Sequence, residues 1–486
     1  MLWSNLSNIF FYCDRIILQM AFKMRKAKNY QIDINSGSTV KNILLFSLPL
    51  MGQGILQLLF NATDLIVVSK FSSSGSDSMG AVGATSSLIN LIVNLFVGLS
   101  IGANVIVAKD FGSKNQRDIS ASVHTAMLLS IISGIFLSIV GIGLSKFFLV
   151  WMGTPTEILP LSTKYLRFYF SGILASMIYN FGAAILRAVG DTRRPLHFLM
   201  ISGVVNVILN LIFVIFFKLD VSGVGLATAI SQTVSAVLIV VSLMKETSEV
   251  HLDLKKLHIN RTKLIQILKI GVPAGLQGCL FSLSNVVIQS SVNSFGKTVV
   301  AGNSAAQSIE GFIYITMNAI SQGSTTFCSQ AFGARDFSKI KKVFLICLAY
   351  VFLHGLIFGG LTAIFAEYFI RLYAESNPPK ELVDTGKIRL IIIASTYALC
   401  GMMEVVVGAL RGLGRSVLPM IVSLVGACGL RLLWLATVFQ IGRFHCLETI
   451  YLSYPISWLV TTLVHLVCFM VAFHKENALV DNLCKT

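Results

Sequence analysis

Long apolar runs alternate with short polar breaks along the whole chain. Reading each run between its breaks predicts twelve helices. The first six lie near 41–70, 81–108, 120–147, 163–187, 195–217 and 223–244, and the second six near 262–295, 299–331, 340–372, 386–411, 416–441 and 449–473. A bilayer-spanning helix needs about 20 mostly apolar residues, so each run is long enough to cross. The fold class that follows is an all-α membrane protein of twelve transmembrane helices.

Composition agrees with the pattern. Of 486 residues, 55% are hydrophobic and 12% charged, with a mean hydropathy of +0.78. A soluble domain carries about twice that share of charge. The net charge of +16 would suggest nucleic acid in a soluble chain. Here the bases gather in alternate polar breaks, among them Arg25, Lys109, Lys114, Arg117, Arg193, Arg194, Lys255, Lys256, Arg335, Lys341, Lys342 and Arg415. The positive-inside rule then puts both termini in the cytoplasm. The basic surplus faces membrane lipid, and no nucleic-acid partner is expected. The nine cysteines form no CxxC pair and mostly sit in apolar runs, so neither a metal site nor a disulfide framework is expected. Residues 1–23 hold a short apolar stretch broken by Asp14 and Arg15. It reads as neither signal peptide nor span; an over-long start ahead of Met24 and an interfacial helix fit it equally.

The chain repeats itself. Pro49, Gln53, Gly54 and Asn61 match Pro273, Gln277, Gly278 and Asn285 at an offset of 224. ILRAVGDTRRP (185–195) matches ALRGLGRSVLP (409–419) at the same offset, pairing Arg187 with Arg411. Ser100, Gly102, Phe111 and Gly112 match Ser321, Gly323, Phe332 and Gly333 at 221. Two six-helix bundles follow, 38–244 and 262–474, joined by a cytoplasmic loop 245–261 and flanked by a leader 1–37 and a tail 475–486. Six is even, so the bundles enter from the same side and are related by a pseudo-twofold along the membrane normal. A cleft between two rocking bundles suits alternating access. It does not name the cargo.

The runs SLPLMGQGILQLLFNATDLIVVSKF (47–71), AAILRAVGDTRRP (183–195) and IGVPAGLQGCLFSLSNVVIQSSVNSFG (270–296) resemble the multidrug and toxic compound extrusion (MATE) transporters, nearest their bacterial NorM/DinF-like members. The resemblance spans about 38–475. It implies a V-shaped cavity, a multi-pass protein of the bacterial inner membrane, no enzyme activity, and antibiotic or xenobiotic efflux. Organic cations or drugs would leave against inward H⁺ or Na⁺. No other cofactor is implied, and a monomer is expected.

Ionisable groups inside spans are costly and mark function or a partner. Three acids stand out: Asp64, Glu310 and Glu404. Asp64 lies 15 residues past Pro49, about 22 Å along the first helix. Both Pro49 and Pro273 remove a backbone donor and can kink their helices. Asn206 and Asn210 share one face of the fifth helix at i, i+4. With Asp64 they could bind Na⁺ or hydrogen-bond a protonated acid; interhelical amide packing is the plain alternative. MATE relatives place a cation-coupling Asp where Asp64 stands, and many have Asp at the position of Asn210, so the resemblance supports coupling while the amide lowers the site's charge.

Asn180 and Glu404 are equivalent by the repeat, which suggests a specialised carboxylate in the second bundle. Gln53, Gln277, Asn180, Glu310, Glu404 and Arg431 are the candidates for the substrate cavity. Arg431 needs an acid, so a pair with Glu404 or Glu310 is expected, making that acid structural; a free one would attract cationic drugs. His354 and His465 read as packing residues. Met51, Phe60, Phe281 and Tyr314 suit either an adaptable pocket or simple packing. Arg187 and Arg411 are expected to cap helices four and ten.

Two motifs fail. GLSIG (98–102) has the nucleophile-elbow pattern but sits in an apolar helix with no strand before it. SVNSFGKT (291–298) has Ser291 where a phosphate loop needs glycine. The runner-up function is a lipid-linked precursor flippase of the wider superfamily, which would want a more cationic cavity than Arg431 alone supplies.

Overall fold

The computed structural model describes residues 31–32, 37–72, 75–374 and 378–483. The apolar stretch 1–23 lies outside them. No strand occurs among the described residues, and the helices fall into twelve units. In the first bundle these are α1 (Thr39–Phe71), α2 (Gly75–Gly112), α3 (Gln116–Trp151), α4 (Leu159–Ser171 and Ile173–Ala188), α5 (Arg193–Leu211) and α6 (Asp220–Met244). In the second they are α7 (Arg261–Asn293), α8 (Lys297–Gly333), α9 (Phe337–His354, ending at Ile364), α10 (Lys380–Ile393 and Tyr397–Gly412), α11 (Val417–Ser423, resuming at Leu430–Ala436) and α12 (Leu447–Leu483). The two parts of α4 meet at 46° around Gly172. Single π-helical turns interrupt α9 at Gly355–Gly359 and α11 at Leu424–Gly429, and extend α5 through Phe216.

Eleven of the twelve are long and apolar enough to cross a bilayer, counting bent α4 once; α8 is the exception. It carries Asn303, Gln307, Glu310, Asn318, Gln322 and Gln330, and much of its surface is buried against other helices. A span enclosed by protein need not be apolar all round, since its polar faces find partners there. The expected ninth helix, 340–372, proves to be two. α9 stops at Ile364, and the separate short helix Ala366–Tyr373 follows a break at Phe365. On that short helix the Glu367 carboxylate meets Arg371 of its own helix and Lys387 of α10, which hold it below its ordinary range. Pro49 and Pro273 sit within helices that run continuously through them.

Glycine decides how the bundles meet. Gly98 and Gly102 of α2 lie against Gly275 and Gly271 of α7 so closely that a Cβ on any of them would enter the facing backbone. One level further, Gly112 meets the Gln330 carbonyl of α8, and Gly333 meets the Lys109 carbonyl of α2. Backbones at this distance leave no room for a passage. This closed end is the one rich in Lys and Arg.

Polar ties fasten the same end. The Lys263 ammonium of α7 reaches both Asp110 oxygens of α2, at 2.9 and 2.8 Å, and Asp118 of α3 at 3.3 Å. Ser122 Oγ donates to Asp110 at 2.5 Å. Asn104 of α2 accepts from Thr326 of α8, and the Gln330 amide donates to the Ala188 carbonyl of α4. The loop between the bundles docks on α3, where the Asp253 and Asn260 amides donate to His124 and Thr125.

Candidate functional site

Two polar clusters lie buried or half-buried at membrane depth, one in each bundle. In the first, Asp64 of α1 accepts from Asn210 Nδ2 at 2.5 Å. The same Nδ2 donates to Asn206 Oδ1 at 3.2 Å, and Asn206 Nδ2 reaches Thr228 Oγ1 of α6 at 3.5 Å. The i, i+4 spacing on α5 stacks the two amides, as the sequence predicts. Asn210 Oδ1 is buried without a hydrogen-bond partner. Tyr165 and Tyr169 of α4 pack with Val67 and Val68 of α1 in one core cluster beside these polar groups. Asp64, Asn206 and Asn210 therefore form one cluster, and Thr228 is a member that sequence reasoning missed. Its hydroxyl carried no signal beyond one polar residue in an apolar run.

No group of three His, Cys, Asp or Glu residues converges among the described residues, so a metal ion here would have to rely on amide and hydroxyl oxygens. One carboxylate with such oxygens suits a hard monovalent cation or a proton better than a transition metal.

The second cluster lines a cavity of about 560 Å³ walled by α2, α7, α8, α10, α11 and α12. Its side chains include Glu310, Glu404, Arg389, Arg411, Arg431 and Gln277. Arg389 clasps Glu310 through Nε at 2.9 Å and Nη2 at 2.7 Å, a two-bond fork with both residues 3% exposed. Its Nη1 donates to Asn303, which Tyr451 also contacts. Such a pair is neutral and fully bonded, the condition under which buried ions persist.

This corrects the expected pairing of Glu310 or Glu404 with Arg431. Arg389 takes Glu310, and Glu404 forms no ion pair among the described residues. The predicted tenth helix, 386–411, leaves Arg389 in its first turn. The run KIRLIII sinks it a full turn deeper, and its place at 224 beyond Tyr165 was the available signal. Arg431 instead donates Nε to Ser457 at 2.8 Å and lies over the Tyr454 and Trp458 rings, at 4.2 and 5.4 Å from their centroids. Its Nη2 is buried and unpartnered.

Arg187 and Arg411 do not cap their helices. Gly190 and Gly414, at φ of +87° and +78°, close both ends in the left-handed conformation. The Asp191 and Arg415 amides return to the Leu186 and Leu410 carbonyls. That leaves the guanidiniums free to turn inward. Arg411 Nη2 donates to Gln277 Oε1 at 2.8 Å, while its Nε has no partner. Gln277 in turn donates to Ser423.

The other polar candidates fall outside both clusters. Gln53 donates to the Tyr179 hydroxyl at 3.2 Å, and Asn180 folds back on the Ser176 carbonyl of its own helix. Phe281 and Tyr314 line the cavity, whereas Met51 joins the second bundle's core and Phe60 lies on Gly203. His465 packs near Ser423 and the Pro419 carbonyl, and His354 on Phe358. Asp110 with Lys263 is a buried pair that sequence reading missed, because Asp110 falls just past the predicted helix 81–108 and Lys263 at the start of the predicted helix 262–295.

Comparison with known proteins bears on both bundles. The MatE family model matches residues 49–212 and again 273–435, its two starts separated by the repeat offset. The chain is 24% identical over 438 residues to the probable multidrug resistance protein YoeA of Bacillus subtilis, covering 88% of this chain and 92% of that one. It is 25% identical over 440 residues to an FAD transporter of Shewanella oneidensis, covering 88% and 93%. Among solved structures, a MATE crystal structure in complex with MaL6 superposes with a TM-score of 0.86 at 22% identity, over 93% of this chain and 100% of the other. The chain belongs to the MatE family of multidrug efflux transporters, which are not enzymes.

Proposed function

Given that membership, we propose that the protein is a secondary active antiporter. It exports drug-like organic molecules, organic cations among them, against inward H⁺ or Na⁺ by alternating access. The lobes are 38–244 and 262–474, the basic closed end faces the cytoplasm with both termini, and the membrane is the bacterial inner membrane. Asp64 takes the coupling ion with Asn206 and Asn210, joined by Thr228. The one observation that supports this most is the half-buried Asp64–Asn210 contact beside a buried, unpartnered Asn210 oxygen.

The physical logic is a differential affinity. An ion arriving at Asp64 cancels a half-buried charge beside α4, α5 and α6, and so alters how those helices pack. Asp64 sits on α1, whose other half packs through Phe46 and Leu50 into the second bundle's core. A change of charge at one end of α1 thus reaches the lobe interface at the other. Glu404, facing the cavity without a partner, would hold the cationic centre of a drug.

Reconstituted vesicles test the reading. Asp64→Asn should lose efflux driven by imposed proton or sodium gradients while drug binding persists; full efflux in that variant would sink the assignment. The flippase alternative gains Arg389 and Arg411 as cavity bases. Glu310 neutralises the first, however, and Glu404 opposes a pyrophosphate. Scrambling of a lipid-linked oligosaccharide by the same vesicles would revive it.

A further inference from the structure

The second-bundle cavity carries more positive than negative charge. Glu310 and Arg389 cancel as a closed pair, which leaves Arg411 and Arg431 against the single carboxylate of Glu404. Both free guanidiniums are incompletely satisfied: Arg411 keeps an unpartnered buried Nε, and Arg431, 3% exposed, an unpartnered buried Nη2. A buried guanidinium lacking a bond costs the full desolvation of that donor. Glu404 and Arg411 lie seven residues apart on α10, two turns along one face, yet make no ion pair. Rings crowd the remaining wall, with Tyr454 and Trp458 already stacked on Arg431 and Tyr314 and Phe281 lining the same space.

We propose that this cavity binds an aromatic organic anion, a carboxylate or an equivalent acid, with its charge held by Arg411 and Arg431 and its ring against Tyr454 and Trp458. The fixed guanidinium fork favours a planar oxyanion over a point charge. Glu404 adds a place for a second, cationic group, so zwitterions are accepted as well. The inference deepens the transport reading and rests on that cavity being the substrate site; it widens the cargo from organic cations to include aromatic molecules bearing an acid group.

Two xanthene dyes of nearly one shape test it: fluorescein, an aromatic carboxylate, and tetramethylrhodamine methyl ester, a cation. Fluorescence anisotropy of the full-length protein in non-ionic detergent reads both affinities. Arg431→Gln and Arg411→Gln should each weaken fluorescein by about tenfold or more and leave the cationic dye unchanged or tighter. Glu404→Gln should do the reverse. Arg431→Lys keeps the charge and loses the fork, so it should recover only part of the affinity. Each variant is checked by size exclusion and thermal unfolding, and Arg411→Gln, which disturbs a single hydrogen bond, stands in should Arg431→Gln not fold. Fluorescein binding unaffected by both arginine variants overturns the proposal. So does displacement of fluorescein by phosphatidylglycerol, which assigns the guanidiniums to a lipid headgroup. Neither result touches the coupling role of Asp64, which gradient-driven efflux reads separately.

Discussion

The two bundles share one frame, and most of the polar groups that set their chemistry stand at positions the other bundle fills differently. Adding the offset of 224 to Asp64, Asn206 and Asn210 gives Ile288, Leu430 and Trp434 in the second bundle. Subtracting it from Arg389, Glu404 and Arg431 gives Tyr165, Asn180 and Val207 in the first. These six positions thus carry their groups once, on a background the twin keeps apolar or neutral, whereas Arg411 and Gln277 keep Arg187 and Gln53 as twins. The first cluster is small, with one acid against amides and a hydroxyl, and suits a bare cation. The second is wide and aromatic, with several charges around a cavity that admits an organic molecule. The repeat supplies the symmetric frame, and on the proposed reading divergence within it separated the ion site from the cargo site.

Substitutions that erase one cluster sharpen this contrast. The largest effect belongs to Asp64→Asn: gradient-driven efflux from vesicles falls to background, and dye binding in the second bundle stays within about twofold. Next is Glu310→Gln, which strands Arg389 and should cost about 3–5 kcal/mol of stability, read as a lowered thermal midpoint in detergent. The double replacement Glu310→Gln with Arg389→Met should recover much of that loss; no recovery would mean that the pair has a role beyond neutralising itself.

Smaller effects probe the seal that both bundles share. Asp110→Asn breaks the contact with Lys263 and should shift the lobe equilibrium about tenfold toward opening of the basic end. Labelling of a cysteine placed at Gln330 would report the change, since that side chain is buried in the closed interface. Gln53→Ala, which removes one hydrogen bond to Tyr179, should change efflux least, by about threefold at most.

Much of this was legible in the sequence, for identifiable reasons. Twelve apolar runs and a repeat offset are properties of the chain alone, and i, i+4 spacing on α5 was enough to bring Asn206 and Asn210 together. Asp64 was legible as a lone acid in an apolar run. The pairing of charges was not, because it depends on which helices touch. Arg389 reads as a first-turn base until α8 packs beside α10 and presents Glu310. Arg411 reads as a helix cap until Gly414 is seen to satisfy the helix end by itself. Lys263 and Asp110 lie at polar edges, 153 residues apart, and meet only because four glycines let α2 and α7 close. Polar α8 was counted as a span on length, and its low hydropathy makes sense only once it is surrounded by other helices.

The division of labour between bundles has one direct test. Purified protein, reconstituted in vesicles with an imposed proton or sodium gradient, is assayed for dye efflux and, in parallel, for equilibrium dye binding in the Asp64→Asn and Glu404→Gln variants. The account predicts that Asp64→Asn abolishes gradient-driven efflux and spares binding of both dyes, while Glu404→Gln alters dye affinity and leaves the remaining efflux coupled to the gradient. Coupled efflux intact in Asp64→Asn, or coupling lost in Glu404→Gln with dye affinity unchanged, would contradict it.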